Sequence, residues 1–483
     1  MIVFPFRYQI LAGLSLFAGL VFTTQAAPPN ILFLLADDLA WSGTGVAMHP
    51  ELPETSRNGF VDTPALARLA EEGVRFSDAY SPAPICTPTR RSIVCGMSVA
   101  RQRGAEFRSL FDPSQHPTIP QALKQANPAY RTAHFGKWGE AMVATPEQCG
   151  YDVSDGETGN VTGDSADPDD PKLTGSLSRR AADFIRETVR EERPFFAQVS
   201  YYAVHLAIQA RPETLAKYEA RGRPPRNAPS EFLAMLEELD AGVGLLLDTL
   251  DELGVADDTW VIFSSDNGGR EFEKRGARYN EKLRLPTKTA RQGRNPKFSL
   301  PAEYAVRLPD NEPLRGSKQL LYEGGIRVPF LVRGPGVQLG TFQRQPIVLY
   351  DLLPTFHELA GGTGPLPDTL DGSSLVPAFL GEPLPDPERI APGQVFHRPR
   401  PLNDTGEGYS ALRHRNYKLL VAWTPEGEVK RRELYDLRHD LAEQNDLSRV
   451  DPGRTERLFA KLMTYLEEVD AETATEIPGN RRE

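Results

Sequence analysis

The stretch NILFLLADD, which runs from Asn30 to Asp38, places six consecutive apolar residues directly before two aspartates. A short, continuous apolar run predicts a strand that is buried on both faces. Two later stretches share this pattern, PFFAQVSYYAVH at residues 194–205 and TWVIFSSDNGG at residues 259–269. The sequence therefore predicts at least three buried strands, each of which ends in polar residues.

Amphipathic helices are predicted between these strands. DTPALARLAEEGVRF, residues 62–76, has a helix start at Asp62-Thr63-Pro64 and a stop at Gly73. SEFLAMLEELDAGVGLLLDTLDELG, residues 230–254, is a longer helix that opens with Ser230 and leads into the third strand. This alternation predicts an α/β fold with a large mixed, mostly parallel sheet that is covered by helices on both faces.

Polar side chains follow the predicted strands at their carboxyl ends, where an open parallel sheet binds its ligands. The residues expected at this edge are Asp37, Asp38, His205, Asp266 and Asn267. Carboxylate and amide oxygens suit a hard divalent cation, Ca²⁺ or Mg²⁺, rather than zinc, which favours nitrogen and sulfur ligands. The alternative for both acidic stretches is a helix N-cap or a turn, since each is common after a strand.

The last hundred residues differ in pattern. GYSALRHRNYKLLVAW, the turn TPEGE and VKRRELYDL predict an antiparallel hairpin over residues 408–437, and residues 453–470 predict an amphipathic helix. The Pro-rich stretch GEPLPDPERIAPG is the expected domain boundary. We therefore predict a main domain over residues 27–380 and a C-terminal α+β subdomain, a smaller antiparallel sheet plus a helix, over residues 381–483.

Composition and the first residues bear on location. The chain has 483 residues and a formal net charge of -11, which argues against nucleic acid or an anionic membrane as a partner. Arg7, the apolar run from Ile10 to Phe22 and the small residues up to Ala26 are typical of a signal peptide. The alternative, a membrane anchor, needs roughly 18 apolar residues. We expect a signal peptide at residues 1–26 and an exported protein, periplasmic or extracellular, with no membrane contact after cleavage.

Seven blocks in order carry a family resemblance: LLADD, CTPTR, TAHFGKW, SYYAVH, SSDNGG, GSKQLLYEGGIRVP and ELYDL. Together they resemble the formylglycine-dependent sulfatases, arylsulfatase-like members of the alkaline phosphatase superfamily, from Asn30 to about Leu447. The resemblance implies an alkaline phosphatase-like fold and a sulfuric ester hydrolase that acts on sulfate esters, with a sulfated small molecule or, in first place, a sulfated carbohydrate as substrate. Two alternatives stay open, a phosphate or phosphonate ester hydrolase and a non-catalytic relative that binds sulfated glycans.

The resemblance also implies roles for individual residues. Cys86 of CTPTR would be converted to formylglycine by a formylglycine-generating enzyme, and its hydrated aldehyde would attack sulfur. The implied metal, Ca²⁺ ahead of Mg²⁺, would be held by Asp37, Asp38, Cys86, Asp266 and Asn267. Arg90 would steady the nucleophile, Lys137 and Lys318 would bind the sulfate, and His205 with Lys318 would act near the leaving oxygen. These catalytic candidates are Cys86, Arg90, Lys137, His205 and Lys318.

Three features fall outside the family pattern or leave a question open. Gly139 stands where the family carries a histidine two residues beyond the lysine. Three consequences stay open: His134, Glu140 or a water replaces that group, turnover is slow, or the chain acts on another substrate. Residues 270–300 are rich in Arg and Lys and predict a subsite for a polyanionic glycan, or else a solvated loop. Cys95 and Cys149 remain as an even pair once Cys86 is modified, and their pairing is left open.

Overall fold

The computed structural model describes residues 28–106, 108–222, 228–270, 311–384, 393–400 and 407–476, together with residues 1 and 224. The predicted signal peptide and almost all of the basic stretch at residues 270–300 lie outside these ranges. Residues 385–392 of the domain-boundary stretch lie outside them as well. Within the described ranges, none of the helices combines the length and the apolar character that crossing a membrane requires.

The strands are numbered in chain order. They are β1 Asn30–Ala36, β2 Val74–Phe76, β3 Ala79–Tyr80, β4 Arg131–Gly136, β5 Val153–Ser154, β6 Phe195–Ser200, β7 Thr259–Ser265, β8 Phe330–Arg333, β9 Thr341–Gln343, β10 Ile347–Val348, β11 Gln394–Arg398, β12 Gly408–His414, β13 Tyr417–Trp423 and β14 Val429–Asp436. Eight of them form one sheet in the order β5-β4-β6-β1-β7-β8-β2-β9. The neighbours from β5 to β7 are parallel, whereas β8 is antiparallel to both β7 and β2. The predicted mixed, mostly parallel sheet is confirmed.

The helices are α1 Pro64–Glu71, α2 Cys86–Cys95, α3 Ile119–Ala126, α4 Thr174–Arg190, α5 Pro212–Arg221, α6 Ser230–Glu252, α7 Glu323–Ile326, α8 Leu352–Leu359, α9 Val376–Phe379 and α10 Pro452–Glu468. Strand β1 shows why both faces of the sheet need cover. Its residues alternate between two apolar cores, Leu32 and Leu34 on one side and Ile31 and Phe33 on the other. Helices α1, α4 and α6 contribute to the first core, and α2, α3 and α8 to the second. The predicted helical layers on both faces are confirmed.

The second sheet joins β11, β12, β13 and β14 in that order, all antiparallel. The stretch predicted as one arm of a hairpin, residues 408–423, instead forms two strands. The chain reverses at Arg415, whose φ of 56° belongs to the left-handed region and closes a tight turn. One face of this sheet packs on the main body through residues such as Tyr409 and Leu420, and the other packs on α10 through residues such as Leu419 and Leu462.

Candidate active site

The floor of the candidate site lies where the adjacent parallel strands β1 and β7 end. Asp37 and Asp38 follow β1, and Asp266 and Asn267 follow β7, with Ala36 paired to Ser265 in the last step of the ladder. The backbone N–H of Asp38 donates to Oδ1 of Asp266 at 3.2 Å, and Asn267 Nδ2 donates to Asp38 Oδ1 at 2.8 Å. The predicted edge of the sheet thus brings all four oxygen-bearing side chains together, and all four are buried.

Cys86 is the first residue of α2 and faces this floor. Its Sγ lies 3.5 Å from Asp37 Oδ1 and 3.1 Å from the Nζ atom of Lys318, and the residue is 8% exposed. Burial raises the pKa of the Cys86 thiol to about 12, although Lys137 and Lys318 act in the opposite direction. An unmodified thiol here stays protonated at neutral pH, which makes it a weak nucleophile despite its place at a helix N-terminus.

Arg90 lies one helical turn after Cys86 and links the two sides of the site. Its Nε donates to Asp266 Oδ2 at 2.8 Å, Nη2 lies 2.7 Å from the same oxygen, and Nη1 donates to the carbonyl oxygen of Lys137 at 2.6 Å. The guanidinium therefore fixes one carboxylate and the backbone that carries Lys137.

Two lysines meet the two aspartates that follow β1. Lys137, directly after β4, contacts Asp37 Oδ2 through its Nζ atom, and Lys318 contacts Asp38 Oδ1. Burial alone would lower the pKa of both amines, but Asp37 raises the pKa of Lys137 and Asp38 raises the pKa of Lys318. Both side chains are cations at neutral pH and can bind an anionic group.

The same cations, together with burial, shift the pKa values of the three aspartates. Burial would raise the pKa of Asp37, but the charges of Lys137, Arg90 and Lys318, joined by that of His205 when acidic pH protonates the ring, hold it well below its usual range. The pKa of Asp38 is likewise lowered, chiefly by Lys318 against the effect of burial. For Asp266, burial and the neighbouring Asp37 prevail over Arg90 and raise the pKa to about 6.

His205 lies beside Asp38 because the chain after β6 is bonded to the end of β1. The backbone N–H of Asp37 donates to Ala203 O at 3.0 Å, and that of Val204 donates to Asp37 O at 2.7 Å. Nδ1 of His205 lies 2.6 Å from Leu206 O, a carbonyl that can only accept, so Nδ1 carries the proton and Nε2 faces Asp38 Oδ2 at 3.8 Å. Burial lowers the pKa of His205 to about 4. The neutral imidazole thus offers an acceptor to the site rather than a proton.

The donor set fits a divalent cation. Ligand atoms of Asp37, Asp38, Cys86 and His205 all lie within 4.8 Å of one another. Among the described residues, Asp38 Oδ2 and Asn267 Oδ1 are buried oxygens that have no hydrogen-bond partner. An unpartnered buried acceptor is costly, and a cation would satisfy both atoms. Oxygen donors of this kind are those that Ca²⁺ and Mg²⁺ prefer.

His134 and Glu140, the two side chains expected to replace the family histidine at Gly139, both make their hydrogen bonds elsewhere. Gly139 has a φ of 138°, and a Cβ atom there would lie 3.0 Å from Met142 Cγ. His134 is buried with Nε2 at 3.1 Å from Ser200 Oγ, and burial lowers its pKa to about 3. Glu140 is exposed and accepts a hydrogen bond from the backbone N–H of Asn160 at 2.7 Å. Neither His134 nor Glu140 is directed at Cys86 by these bonds.

Sequence reasoning missed one buried cation near the floor. Lys172 is 0% exposed, and its Nζ donates to Asp164 Oδ1 at 2.9 Å. Burial lowers its pKa against the effect of Asp164, and Asp37 and Lys137 are close enough to act on it too. A lysine between proline and leucine carries no local signal of burial. The two remaining cysteines, Cys95 and Cys149, are buried free thiols, so the pairing left open is absent from the structure.

Comparisons with known proteins agree with this geometry. The family model described as Sulfatase matches residues 29–362, and the model described as N-sulphoglucosamine sulphohydrolase, C-terminal, matches residues 316–472. The chain is similar to arylsulfatase A from Homo sapiens, 30% identical over 412 residues, which cover 76% of this chain and 70% of that protein. It is also similar to N-acetylgalactosamine-6-sulfatase from Canis lupus familiaris, 28% identical over 411 residues, which cover 76% of this chain and 69% of that protein.

Solved structures share the fold. The crystal structure of Ps i-CgsB in complex with k-i-k-neocarrahexaose superposes with a TM-score of 0.70 at 23% identity, covering 94% of this chain and 95% of that chain. The phosphonate monoester hydrolase of Agrobacterium radiobacter superposes with a TM-score of 0.60 at 16% identity, covering 91% of this chain and 96% of that chain. The fold is therefore of the alkaline phosphatase-like type.

Proposed function

Because this chain belongs to the sulfatase family and is a sulfuric ester hydrolase, we propose that it acts on a sulfated carbohydrate through a formylglycine formed from Cys86. The observation that carries the proposal is the place of Cys86, with Sγ 3.5 Å from Asp37 Oδ1 and 3.1 Å from Lys318 Nζ. Hydrated formylglycine supplies a hydroxyl nucleophile at this place, which the protonated thiol does not.

The burial of the same residue bears on when a maturation enzyme could reach it. Cys86 is 8% exposed in the folded chain and lies at the start of a helix whose residues are all buried. A formylglycine-generating enzyme would reach it only before folding is complete. We therefore propose that such an enzyme acts on the unfolded chain, and that export with the signal peptide at residues 1–26 leads to the periplasm or the exterior.

A divalent cation is the proposed cofactor, with Asp37, Asp38, Asp266, Asn267 and the modified residue 86 as its ligands. A cation held there would lower the pKa of a hydroxyl and polarise a sulfate oxygen. The two unpartnered oxygens, Asp38 Oδ2 and Asn267 Oδ1, support this assignment. Ca²⁺ is favoured over Mg²⁺ because Ca²⁺ accepts many protein oxygens in flexible geometry, whereas Mg²⁺ usually retains several waters.

Three further side chains of the site, Lys137, Lys318 and His205, have separate roles in the proposed reaction. Lys137, whose backbone is fixed by Arg90, binds a sulfate oxygen and disperses its charge. Lys318 is protonated and lies against the nucleophile position, so it neutralises the leaving oxygen as the ester bond breaks. His205 is neutral with its proton on Nδ1, so it orients the substrate through Nε2 and leaves the proton donation to Lys318.

Sulfate release is the step for which the chain lacks the family residue. Gly139 offers no side chain, and Met142 fills the space beside it. We therefore propose that attack on the ester is faster than release of sulfate, which then limits turnover.

The proposed substrate class rests on charge and on the relatives. The chain is acidic overall, with a formal net charge of -11, yet Arg90, Lys137 and Lys318 place three cations in one buried site. That local reversal of charge suits an anionic group. Relatives named N-acetylgalactosamine-6-sulfatase and a fold neighbour solved with k-i-k-neocarrahexaose support a sugar as the group that carries the sulfate.

The decisive test is a mass spectrum of the peptide that contains Cys86, combined with assays of sulfate release. Protein produced with a formylglycine-generating enzyme should carry the aldehyde at residue 86 and release sulfate, whereas Cys86→Ala should fold and release none. Cys149→Ala removes another buried thiol, from the apolar core to which α2 contributes Ile93 and Val94, and serves as the control that retains activity. Equal sulfate release by Cys86→Ala would contradict the proposal, and faster hydrolysis of a matched phosphonate ester would favour the alternative activity.

A further inference from the structure

Lys318 lies on a loop that is bonded to both sides of the site. Its backbone N–H donates to Gly269 O at 2.9 Å, just beyond β7. The next residue, Gln319, donates its N–H to Pro84 O at 2.8 Å, two residues before Cys86. Gln319 has a φ of 81°, which is unfavourable for a residue with a side chain. Such a backbone persists only where its neighbours hold it in place.

The second sheet supplies one of those neighbours. Arg398, the last residue of β11, donates from Nη1 to the carbonyl oxygen of Gln319 at 2.7 Å. Arg398 is 2% exposed, so a cation from the C-terminal sheet is buried against the loop that carries Lys318.

Stability of the fold does not explain this buried guanidinium. Its Nε and Nη2 atoms are buried without a hydrogen-bond partner among the described residues. Among the described residues, the carboxylate paired with it is that of Glu106, whose Oε1 lies 4.0 Å from Nη2. A buried charge with so few partners costs stability. Among the described residues, the only hydrogen bond of the Arg398 guanidinium is the one to the Gln319 carbonyl, so this is the contact that a function of Arg398 has to explain.

The same sheet holds the far end of the loop, at the start of α7. Lys418 of β13 lies 2.8 Å from Glu323 Oε1, and Glu443 Oε2 accepts the backbone N–H of Glu323 at 2.7 Å. All three side chains are buried. The segment from Gln319 to Glu323 is thus fixed at both ends by residues of the C-terminal sheet and the turn that follows it.

We propose that Arg398 is a positioning residue for the reaction, which holds the Lys318 ammonium at the leaving oxygen through the Gln319 carbonyl. The C-terminal sheet would then act on the ester bond although none of its described residues lies on the floor of the site. This inference rests on the proposed role of Lys318.

The test compares aryl sulfates whose phenols range from good to poor leaving groups. Poor leaving groups depend most on a group that neutralises the leaving oxygen. For Arg398→Gln we expect kcat/KM to fall by about 10- to 100-fold with the poorest leaving group, the size of loss that a small misplacement of a catalytic group produces. With 4-nitrophenyl sulfate the change should be much smaller. Arg398→Lys, which retains a donor for the Gln319 carbonyl, should recover part of the loss.

Arg400→Gln is the matched control. Arg400 lies two residues further along, and its Nε donates to another backbone carbonyl, Ala474 O, at 2.8 Å. This variant should keep the leaving-group dependence of the parent. Thermal unfolding of each variant shows whether it is folded.

Lys318→Gln separates the inference from the proposed function. If Lys318→Gln loses activity equally with all leaving groups, the proposed role of Lys318 is wrong. Lys318→Gln should steepen the dependence of kcat/KM on the leaving group. If it does so while Arg398→Gln leaves that dependence unchanged, or while Arg398→Gln lowers kcat/KM by the same factor for every leaving group, the positioning role of Arg398 is overturned.

Discussion

Asp266→Ala removes the carboxylate that holds Arg90 in the active site. Nε and Nη2 of Arg90 lie 2.8 and 2.7 Å from Oδ2 of Asp266, and neither side chain is more than 2% exposed. The substitution leaves the guanidinium with the Lys137 carbonyl and with Asp37 at 3.8 Å. Removal of one partner of a buried ion pair costs about 3–5 kcal/mol.

The neighbouring carboxylates reduce that cost. Burial and the charge of Asp37 raise the pKa of Asp266 to about 6, so the loss of this group also relieves repulsion. We therefore expect the free energy of unfolding of Asp266→Ala to fall by the lower end of the range, about 3 kcal/mol. Asp266→Asn keeps an acceptor for the Asp38 backbone N–H while it removes the charge, and it should lose less.

Urea unfolding in chelator and in Ca²⁺ measures both effects. A cation that binds only the folded protein adds about 2.7 kcal/mol at a hundred times its dissociation constant. The parent should show this gain, and Asp266→Ala should show little of it. The reasoning is refuted if Asp266→Ala unfolds within about 1 kcal/mol of the parent in chelator and gains as much from Ca²⁺.

Three further outcomes are expected. Lys137→Gln, which loses the cation paired with Asp37, should lower kcat by about 10²–10³-fold, and an unchanged kcat with a raised KM would show that Lys137 serves binding alone. Stopped-flow assays of the parent should show a burst of leaving alcohol, because Gly139 offers no base for the release of sulfate. The Gly139→His variant should be less stable than the parent, because a Cβ atom at this position would contact Met142 and the backbone φ is 138°. Burial raises the pKa of Asp351 from 3.8 to about 7, so between these pH values the folded protein binds one more proton than the unfolded chain. The resulting stabilisation is complete below pH 3.8 and is lost as the pH rises through 7, at about 1.4 kcal/mol per pH unit. Equal slopes of the free energy of unfolding against pH for the parent and for Asp351→Asn would contradict this prediction.

The sequence predicted the centre of the sheet but not its far side. Strands β1, β6 and β7 have six or seven mostly apolar residues each, and their alternation with helices was enough to predict a mostly parallel sheet. Strands β2, β8 and β9 have three or four residues each, too few for a period to be recognised. Their pairing, including the antiparallel β8, is decided by long-range contacts.

In the C-terminal sheet, too, the sequence predicted strand residues but not how the chain reverses between them. Residues 408–423 read as one arm of a hairpin because apolar and polar residues continue across Arg415. The reversal depends on the left-handed backbone of that one residue, and arginine is not a residue that signals such a turn.

Within the active site, the sequence by itself determined which chemical groups are present. Acidic and amide residues that follow buried strands reach one edge of a parallel sheet, so local pattern was sufficient to place Asp37, Asp38, Asp266 and Asn267 together. The order of the family blocks then assigned roles to Cys86 and its partners. Those roles remain proposals, but the structure brings all the named residues into one buried cluster.

Only the tertiary structure decided the charge states and the supporting contacts. Lys172 and Arg398 are buried, although the sequence around each gives no indication of it. The residues that pack over a cation come from distant parts of the chain. The neutral state of His205 depends on its burial, and its proton is placed on Nδ1 by a bond to the Leu206 carbonyl. The ionisation of a side chain depends on burial and on charges brought near from distant parts of the chain, so pattern along the sequence does not contain it.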